Sequence, residues 1–480
     1  MGRPILTPQE MRAAEQAVFD AGTDSFVVMQ RAGEAVAEFV HAHWPDGLIQ
    51  VLCGPGGNGG DGFIAAMILA KRWRKVEVFC AVPVDQLRGD AAKAAALWDR
   101  PVGTLEAALT APHELVLDAL YGGGLSRPLE GVAAALADRP ARVISVDVPS
   151  GLDGFTARPL GPCFRAEGTI TFAALRPAHV LLPGSAYCGA VMVSDIGVPT
   201  PTRAMENSPA LWAADLPGPG QGDHKHQRGH LKVVSGPMSS TGAARLAARA
   251  GLRAGAGLVT VLSPPSALMV NAAHLTAIML SSVDGAEDIL AAAKKASAVV
   301  IGPAAGVTPQ TRANVSAVLK SPARCVLDAD ALTVFADDPA ALFAMLRPAD
   351  VLTPHTGEFE RLFGGLLSSA HNKIEAVRLA AAKAGCVVLL KGADTVIAAP
   401  SGHVVVNTHA TRWLATAGSG DVLAGILAGF LAQGVDTLLA AAMAAWMHGE
   451  AGRRAGAGLI AEDLEQQLPG IFSALHAGSP

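Results

Sequence analysis

Two glycine-rich loops, each carrying an aspartate, lie far apart in this chain. The first reads Gly54-Pro55-Gly56-Gly57-Asn58-Gly59-Gly60-Asp61-Gly62; the second reads Ala417-Gly418-Ser419-Gly420-Asp421-Val422-Leu423-Ala424-Gly425. Each follows apolar residues and opens a helix-like run. Each therefore offers backbone N–H groups to an anion and a carboxylate for proton transfer. Loops spelled so differently imply two active sites on one polypeptide. The first contains G-x-G-x-x-G, but a dinucleotide fingerprint also wants an acidic residue at the end of the next strand. Here that run ends Phe79-Cys80-Ala81-Val82-Pro83, and Pro55 removes an N–H from the cradle. Two more carboxylates end apolar runs, Asp118 before Ala119-Leu120-Tyr121-Gly122-Gly123-Gly124 and Asp147 before Val148-Pro149-Ser150-Gly151-Leu152-Asp153-Gly154. Such charges need partners. Either each caps the next helix, or together they line a polar pocket beside the Gly54 loop. In the second loop, Asp421 stands at a helix N-terminus, poised to take a proton from a hydroxyl attacking a phosphoryl group. The alternative is a capped helix start with a solvated Asp. No Gly-Lys-Ser/Thr ends this loop, so it is not a Walker A motif.

The elements that must position these loops alternate. Residues 9–44 read as two helices, with Met11, Ala14 and Val18, then Val28, Ala32, Val36 and Phe39, at helical spacing. Strands follow at 49–53, 76–82, 115–120 and 143–148, with a helix at 63–73 after the first loop. This pattern predicts a doubly wound, Rossmann-like parallel sheet whose ligands bind at the carboxyl ends of the strands. Around 199–222 it dissolves into Pro and Gly. A second α/β series then predicts strands at 231–235, 258–262, 298–301, 325–327, 351–352 and 386–390. A hairpin at 396–399 and 403–406 and helices at 420–433 and 438–454 complete it. The expected domains are 1–207 and 208–480, α/β in both halves and without an internal repeat.

Composition narrows the function classes. The chain has 480 residues, of which 50% are hydrophobic and 16% charged, with a net charge of −5. That favours two well-buried domains. No basic block is present to neutralise a nucleic-acid backbone. No apolar run is long enough to span a bilayer, and the first residues lack a signal core. The six cysteines are scattered, without Cys-x-x-Cys, as expected of reduced thiols in the cytoplasm. His224, His226 and His230 have a zinc-like spacing but no nearby Cys or fourth ligand, so a polar loop is expected there.

Residues 9–200 resemble the NAD(P)H-hydrate epimerase family. The resemblance rests on Gly-Pro-Gly-Gly-Asn-Gly-Gly-Asp-Gly, Val-Leu-Asp-Ala-Leu-Tyr-Gly, Val-Asp-Val-Pro-Ser-Gly-Leu-Asp-Gly and Val193-Ser194-Asp195-Ile196-Gly197-Val198-Pro199. It implies a bound K⁺ held by Asn58, Asp118 and Ser150. It also implies a hydrated nicotinamide dinucleotide lined by Gly57, Asn58, Gly59, Gly60 and Asp61, by Gly122, Gly123, Gly124, Leu125, Ser126, Arg127 and Pro128, and by Asp147. Asp147 would be the acid/base group. The family usually has Asn where this chain has Gly57, and Met-Glu-Asn-Ala-Gly where it has Met29-Gln30-Arg31-Ala32-Gly33.

Residues 211–470 resemble the ADP-dependent NAD(P)H-hydrate dehydratases of the ribokinase-like superfamily. The motifs are Thr353-Pro354-His355-Thr356-Gly357-Glu358-Phe359, Leu390-Lys391-Gly392-Ala393-Asp394-Thr395, Leu327-Asp328-Ala329-Asp330-Ala331-Leu332 and Thr241-Gly242-Ala243-Ala244. The resemblance places Ala243, Ala304, His355 and Asp421 on the hydrate and Lys391, Gly392, Ala393, Asp394, Thr395 and Gly420 on the adenine nucleotide, with Mg²⁺ accompanying ADP. Asp421 would be catalytic. Ala304 replaces the last Gly of a family Gly-Pro-Gly. On its own residues, His355 is equally a helix-entry residue. The expected partners are the hydrates of NADH and NADPH and ADP, with no nucleic acid or membrane, in a homo-oligomer. Two rival readings stay open: a ribokinase-like small-molecule kinase such as a thiamin-precursor kinase, and a first half that only binds or scaffolds.

Overall fold

The computed structural model describes residues 2–44, 46–72, 74–218, 220 and 224–478. The chain forms two compact units, one spanning Arg3–Ala204 and the other beginning at Met205.

The first unit is a seven-stranded parallel sheet. Its strands lie in the order Val102–Thr104, Lys75–Cys80, Leu48–Cys53, Leu115–Ala119, Val143–Val146, Gly168–Phe172, Ala190–Ser194. The chain order reverses between Leu48–Cys53 and Leu115–Ala119, which run in parallel register from Ile49 opposite Leu115 to Cys53 opposite Ala119. That reversal opens a crevice at the carboxyl ends, as in other Rossmann-like sheets. The central strands are buried almost throughout, which explains their mostly apolar spelling, with Gln50, Asp118 and Ser145 as buried polar exceptions. The helix Pro8–Asp20 starts with a capping box between Thr7 and Glu10, and Ser25–His43 is capped by Asp24.

The helix expected at 63–73 begins six residues earlier, as Gly57–Lys71; Trp73 lies outside the described residues. The glycine loop is itself the first helical turn. A Cβ at Gly59 would lie 1.9 Å from the Gly54 carbonyl oxygen, so only glycine permits that approach. Three strands were not expected. Val102–Thr104 is short, Ala190–Ser194 is not fully buried, and Gly168–Phe172 alternates with threonines. Those threonines are buried, and Thr169 donates to the Cys188 carbonyl at 2.6 Å.

The second unit also centres on one sheet. From one edge its strands are Met279–Ser282, Leu258–Ser263, His230–Val234, Ala298–Ile301, Arg324–Leu327, Val351–Leu352 and Val387–Leu390, all parallel. The antiparallel hairpin Thr395–Ala398 and Val404–Asn407 follows. Beyond it, the Asn207 amide donates to the Val406 carbonyl at 2.8 Å. The second glycine loop leads into the helix Ser419–Ala432, buried along its whole length from Val422. A helix covered on all sides needs no polar stripe, which is why this segment reads as continuous apolar sequence. It crosses Gly242–Arg253 through small residues: a Cβ at Gly425 would lie 2.2 Å from the Ala247 carbonyl oxygen. Among the described residues, no helix is long and apolar enough to cross a membrane. All six cysteines are free and buried.

Because the Gly425 contact is with backbone, it cannot relax by a rotamer change. Gly425→Ala is expected to destabilise the second unit by about 1–3 kcal/mol, read as a lower urea midpoint for that unit's transition. An unchanged midpoint would contradict this packing.

Candidate active sites

The loops after Cys53, Ala119 and Val146 surround a cavity of about 560 Å³ in the first unit. Of the residues expected on the hydrate, Gly57, Asn58, Asp61, Gly122, Gly123, Gly124, Leu125, Ser126, Arg127 and Asp147 line it. Gly59, Gly60 and Pro128 do not. Gly59 packs on the Gly54 carbonyl, and a Cβ at Gly60 would meet the Met29 sulfur at 2.5 Å. At Gly57 an added Cβ meets nothing within 4 Å, so the space for a side chain there is open. Gln30 is exposed, and Arg31 donates to the Ile196 carbonyl at 3.1 Å.

Asp147 is held from every side. Its φ of 62° is unusual for a non-glycine residue. The Gly123 amide donates to its carboxylate at 2.8 Å and the Thr171 hydroxyl at 2.9 Å. The Arg176 guanidinium lies at 3.2 Å, and the His179 Nε2 lies 2.8 Å from its carbonyl oxygen. Burial opposes its charge, but Arg176 and the Gly123 N–H outweigh burial and hold the carboxyl below its usual range. Two other carboxyls line the same cavity and shift the other way. Asp61 is pushed well up by burial, reinforced by the charges of Asp147 and Glu15. Glu15 is raised by burial despite Arg176. Three carboxyls thus share this cavity with Arg12, Arg127 and Arg176; Arg176 pairs with Asp147, whose carboxyl is lowered, while burial raises those of Asp61 and Glu15. Glu15, Arg12 and Arg176 were not anticipated. Their spacing in sequence is that of ordinary helix-surface or loop charges, and only the fold turns them inward.

Asp118 and Ser150 lie beneath this cavity, fully buried. The Ser150 hydroxyl and amide donate to Asp118 at 2.6 and 2.8 Å, and the Ser145 hydroxyl donates at 3.0 Å. Burial raises the Asp118 carboxyl, these bonds only partly offsetting it, and among the described residues no cationic side chain pairs with it. The Asn58 amide nitrogen is buried without a partner, and its oxygen lies 3.2 Å from where a Gly122 Cβ would sit. A single buried carboxylate amid hydroxyl and amide oxygens is a donor set that fits a hard monovalent cation.

In the second unit, a cavity of about 410 Å³ is lined by His355, Lys391, Gly392, Ala393, Thr395, Ser419 and Gly420, and by the segment after Asn407. The Thr395 hydroxyl accepts from the Gly392 amide at 3.1 Å and closes that loop. Asp394 is not in this lining; its carboxylate pairs with Lys373 at 2.7 Å. Gly418 adopts a φ of 85° and turns the chain into the helix, whose first residues Ser419 and Gly420 line the cavity; the Ser419 amide donates to the Thr416 carbonyl at 3.4 Å. His355 lines the cavity, and its Nδ1 accepts from the Gly357 amide at 2.9 Å to cap the helix Thr356–Phe363.

Beside this cavity Lys391 bridges to Asp328 at 2.6 Å. A Cβ at Gly420 would lie 3.5 Å from the Lys391 nitrogen and 3.9 Å from Asp328, so the helix start, the lysine and the aspartate converge. Asp421 is raised to about 6, first by burial and then by the Asp328 charge, with Lys391 opposing. Such a carboxyl can exchange a proton near neutral pH. Asp328 belonged to a recognised motif without an assigned role. His448 was not anticipated: its Nε2 lies 3.0 Å from the Ser419 hydroxyl, and burial lowers it to about 4. A single histidine in an apolar helix gives no sequence signal of that contact.

Ala243 and Ala304 lie apart from this cavity. Ala243 is in the first turn of Gly242–Arg253, and Ala304 has a φ of 52° with its carbonyl packed on Gly236. The zinc-like histidines form no metal cluster among the described residues. His230 Nε2 lies 2.7 Å from the Thr260 hydroxyl.

Comparison with known proteins agrees with this division. A family model described as NAD(P)H-hydrate dehydratase matches residues 231–469, and one described as YjeF-related protein N-terminus matches 25–178. A bifunctional NAD(P)H-hydrate repair enzyme of Moorella thermoacetica is 35% identical, over 94% of this chain and 93% of its own. Its counterpart in Coxiella burnetii is 32% identical, over 96% and 97%. Among solved structures, a ribokinase-like superfamily protein from Enterococcus faecalis V583 matches with a TM-score of 0.52 and 24% identity, covering 57% of this chain and 97% of its own, which shows the ribokinase-like fold of the second unit. With both family models matched in one chain and near-full-length relatives above 30% identity, the protein belongs to the bifunctional NAD(P)H-hydrate repair enzymes.

Proposed function

We propose that the first unit interconverts the R and S hydrates of NADH and NADPH, and that the second dehydrates the S form at the expense of ADP. The observation that carries the reading is Asp421: a carboxyl titrating near neutrality at a helix N-terminus, beside the Lys391–Asp328 pair. In the second unit the C6 hydroxyl of the hydrate attacks the β-phosphorus of ADP. Asp421 takes the hydroxyl proton, the Gly418–Gly420 amides hold the transferring phosphate, and AMP leaves. The ring-nitrogen lone pair then expels phosphate, and loss of the C5 proton gives the reduced ring. Phosphorylation is needed because hydroxide leaves poorly. Lys391 is placed for the nucleotide phosphates, with Gly392, Ala393 and Thr395 forming the wall beside them. Mg²⁺ accompanying ADP would neutralise phosphate charge when bound.

In the first unit the substrate carbon carries both a hydroxyl and the ring nitrogen, so its configuration is lost when the C6–N1 bond opens to an aldehyde, the hydroxyl proton leaving and the ring nitrogen gaining one, and is reset when the nitrogen re-adds to the other face and the protons return. Asp147, held below the usual carboxylate range by Arg176 and Gly123, accepts the hydroxyl proton, and the carboxyls of Asp61 and Glu15, raised by burial, face the same space. Asn58, Asp118 and Ser150 would hold K⁺, which would balance the buried Asp118 charge and fix the loop.

Three outcomes test this. Asp421→Asn is expected to lower ADP-driven recovery of reduced-nicotinamide absorbance by about 10²–10⁴-fold while R-to-S interconversion persists. Normal turnover would contradict the assignment. The wild-type dehydration rate needs ionised Asp421, so it is expected to be flat above pH 7 and to fall about tenfold per unit below about 6. A rate that rises on acidification would contradict it. Asp147→Asn is expected to slow R-to-S exchange by at least about a hundredfold with ADP-dependent dehydration of pure S hydrate intact. Unchanged exchange in the folded variant sinks that role.

A further inference from the structure

The carboxyl edge of the second sheet holds another cavity, of about 320 Å³, that the phosphoryl chemistry above leaves unused. Its walls include Val234, Pro264, Val283 and Ile301, which end or follow four neighbouring strands. A continuous row of close contacts leads to it from the phosphoryl site. Lys391 bridges to Asp328 at 2.6 Å. Gly302 sits so tightly that a Cβ there would lie 1.8 Å from the Asp328 carbonyl oxygen, and a Cβ at Gly236 would lie 2.1 Å from that of Ala304. Gly236 and Ala305 line the cavity. The row crosses the adjacent strands Arg324–Leu327, Ala298–Ile301 and His230–Val234 in order. At a strand spacing of about 4.8 Å, the cavity lies roughly 10–15 Å from Asp328.

A dinucleotide whose nicotinamide ring reacts at Asp421 must place its other half somewhere along this edge. The chemistry of the cavity says which groups it suits. Among the described residues lining it there is no Lys, Arg or His. Gln310 and Asn314 supply amides, the Gln310 Nε2 donating to the Asn314 Oδ1 at 2.8 Å; Ser266 supplies a hydroxyl, that of Thr308 caps the helix Pro309–Leu319, and the one charged lining group is Asp284, exposed beside Gly285. Met238 and Val307, chain neighbours of lining residues Pro237 and Thr308, are 57% and 59% exposed. Amides, hydroxyls and flanking apolar side chains suit a purine and a ribose. A wall without cations and with a carboxylate does not suit a phosphate.

We propose that this cavity is the subsite for the adenosine half of the hydrated dinucleotide, with Asp284 accepting from its ribose hydroxyls and disfavouring a 2′-phosphate. The assignment rests on the dehydratase reading of this unit. It makes Asp284 a specificity determinant for the hydrate of NADH over that of NADPH.

The test is steady-state dehydration of the two S hydrates at saturating ADP by the full chain, its Asp284→Asn variant and its Asn314→Trp variant. For the unaltered protein, KM is expected to be about tenfold lower for the NADH hydrate, with similar kcat. Asp284→Asn should shrink that gap at least about threefold, through KM. Asn314→Trp, which fills the cavity, should raise both KM values about tenfold while the KM for ADP, kcat and thermal midpoint stay put. A ratio unmoved by Asp284→Asn, or KM values unmoved by Asn314→Trp, overturns the subsite while leaving the dehydratase reading intact. Failure of the unaltered protein to dehydrate either hydrate overturns both.

Discussion

Two carboxylates share one ammonium at the edge of the second sheet, and the chemistry of that unit depends on this imbalance. Lys391 is committed to Asp328 at 2.6 Å. Asp421, shielded by the same walls, is left without a cation of its own, and burial with the Asp328 charge lifts it to about 6. A second lysine there would return it to an ordinary carboxylate, too weakly basic to take a proton from an alcohol. The rest of the unit keeps the arrangement in place. The strands fix Asp328 and Lys391 at their carboxyl ends. The buried helix Ser419–Ala432, locked by backbone-close crossing at Gly425, fixes where its own N-terminus points.

The first unit uses the same device with a different outcome. Asp147, Asp61 and Glu15 face one cavity, and Arg176 forms an ion pair with Asp147. The paired carboxyl is held below its usual range, and burial pushes the other two up. The backbone contributes as well: the φ of 62° at Asp147 is maintained by bonds to its carboxylate and its carbonyl, so its aim is set by the fold. In both units, then, burial raises the carboxyls that, among the described residues, stand without a paired cation.

Much of this was legible in the sequence because the relevant signals are local. A glycine loop that opens a helix, and an aspartate ending a buried run, each declare themselves within ten residues. That was enough to single out Asp147 and Asp421 with the elements around them, whereas Lys391 was singled out only by the resemblance of its segment to the dehydratases. The glycines of the first loop proved to be a helical turn and not a coil, since helix start signals assume a capping side chain and Gly56 offers none. What stayed hidden depends on approach between distant segments. Glu15 and Arg176 look like surface charges until the helix and loop carrying them close over the cavity, and His448 looks like a core residue until Ser419 meets it. Asp394 lies in a stretch that otherwise lines the nucleotide cavity, but Lys373 draws it away.

The central claim is that dehydration proceeds through a phosphorylated hydrate formed at Asp421. The most direct measurement is the stoichiometry of the ADP-driven reaction on S hydrate, following reduced nicotinamide, inorganic phosphate and AMP together. The account predicts that all three appear in equal amounts and that none appears when ADP is withheld. Recovery of reduced nicotinamide without phosphate release, or accumulation of a stable phosphorylated product, would contradict it.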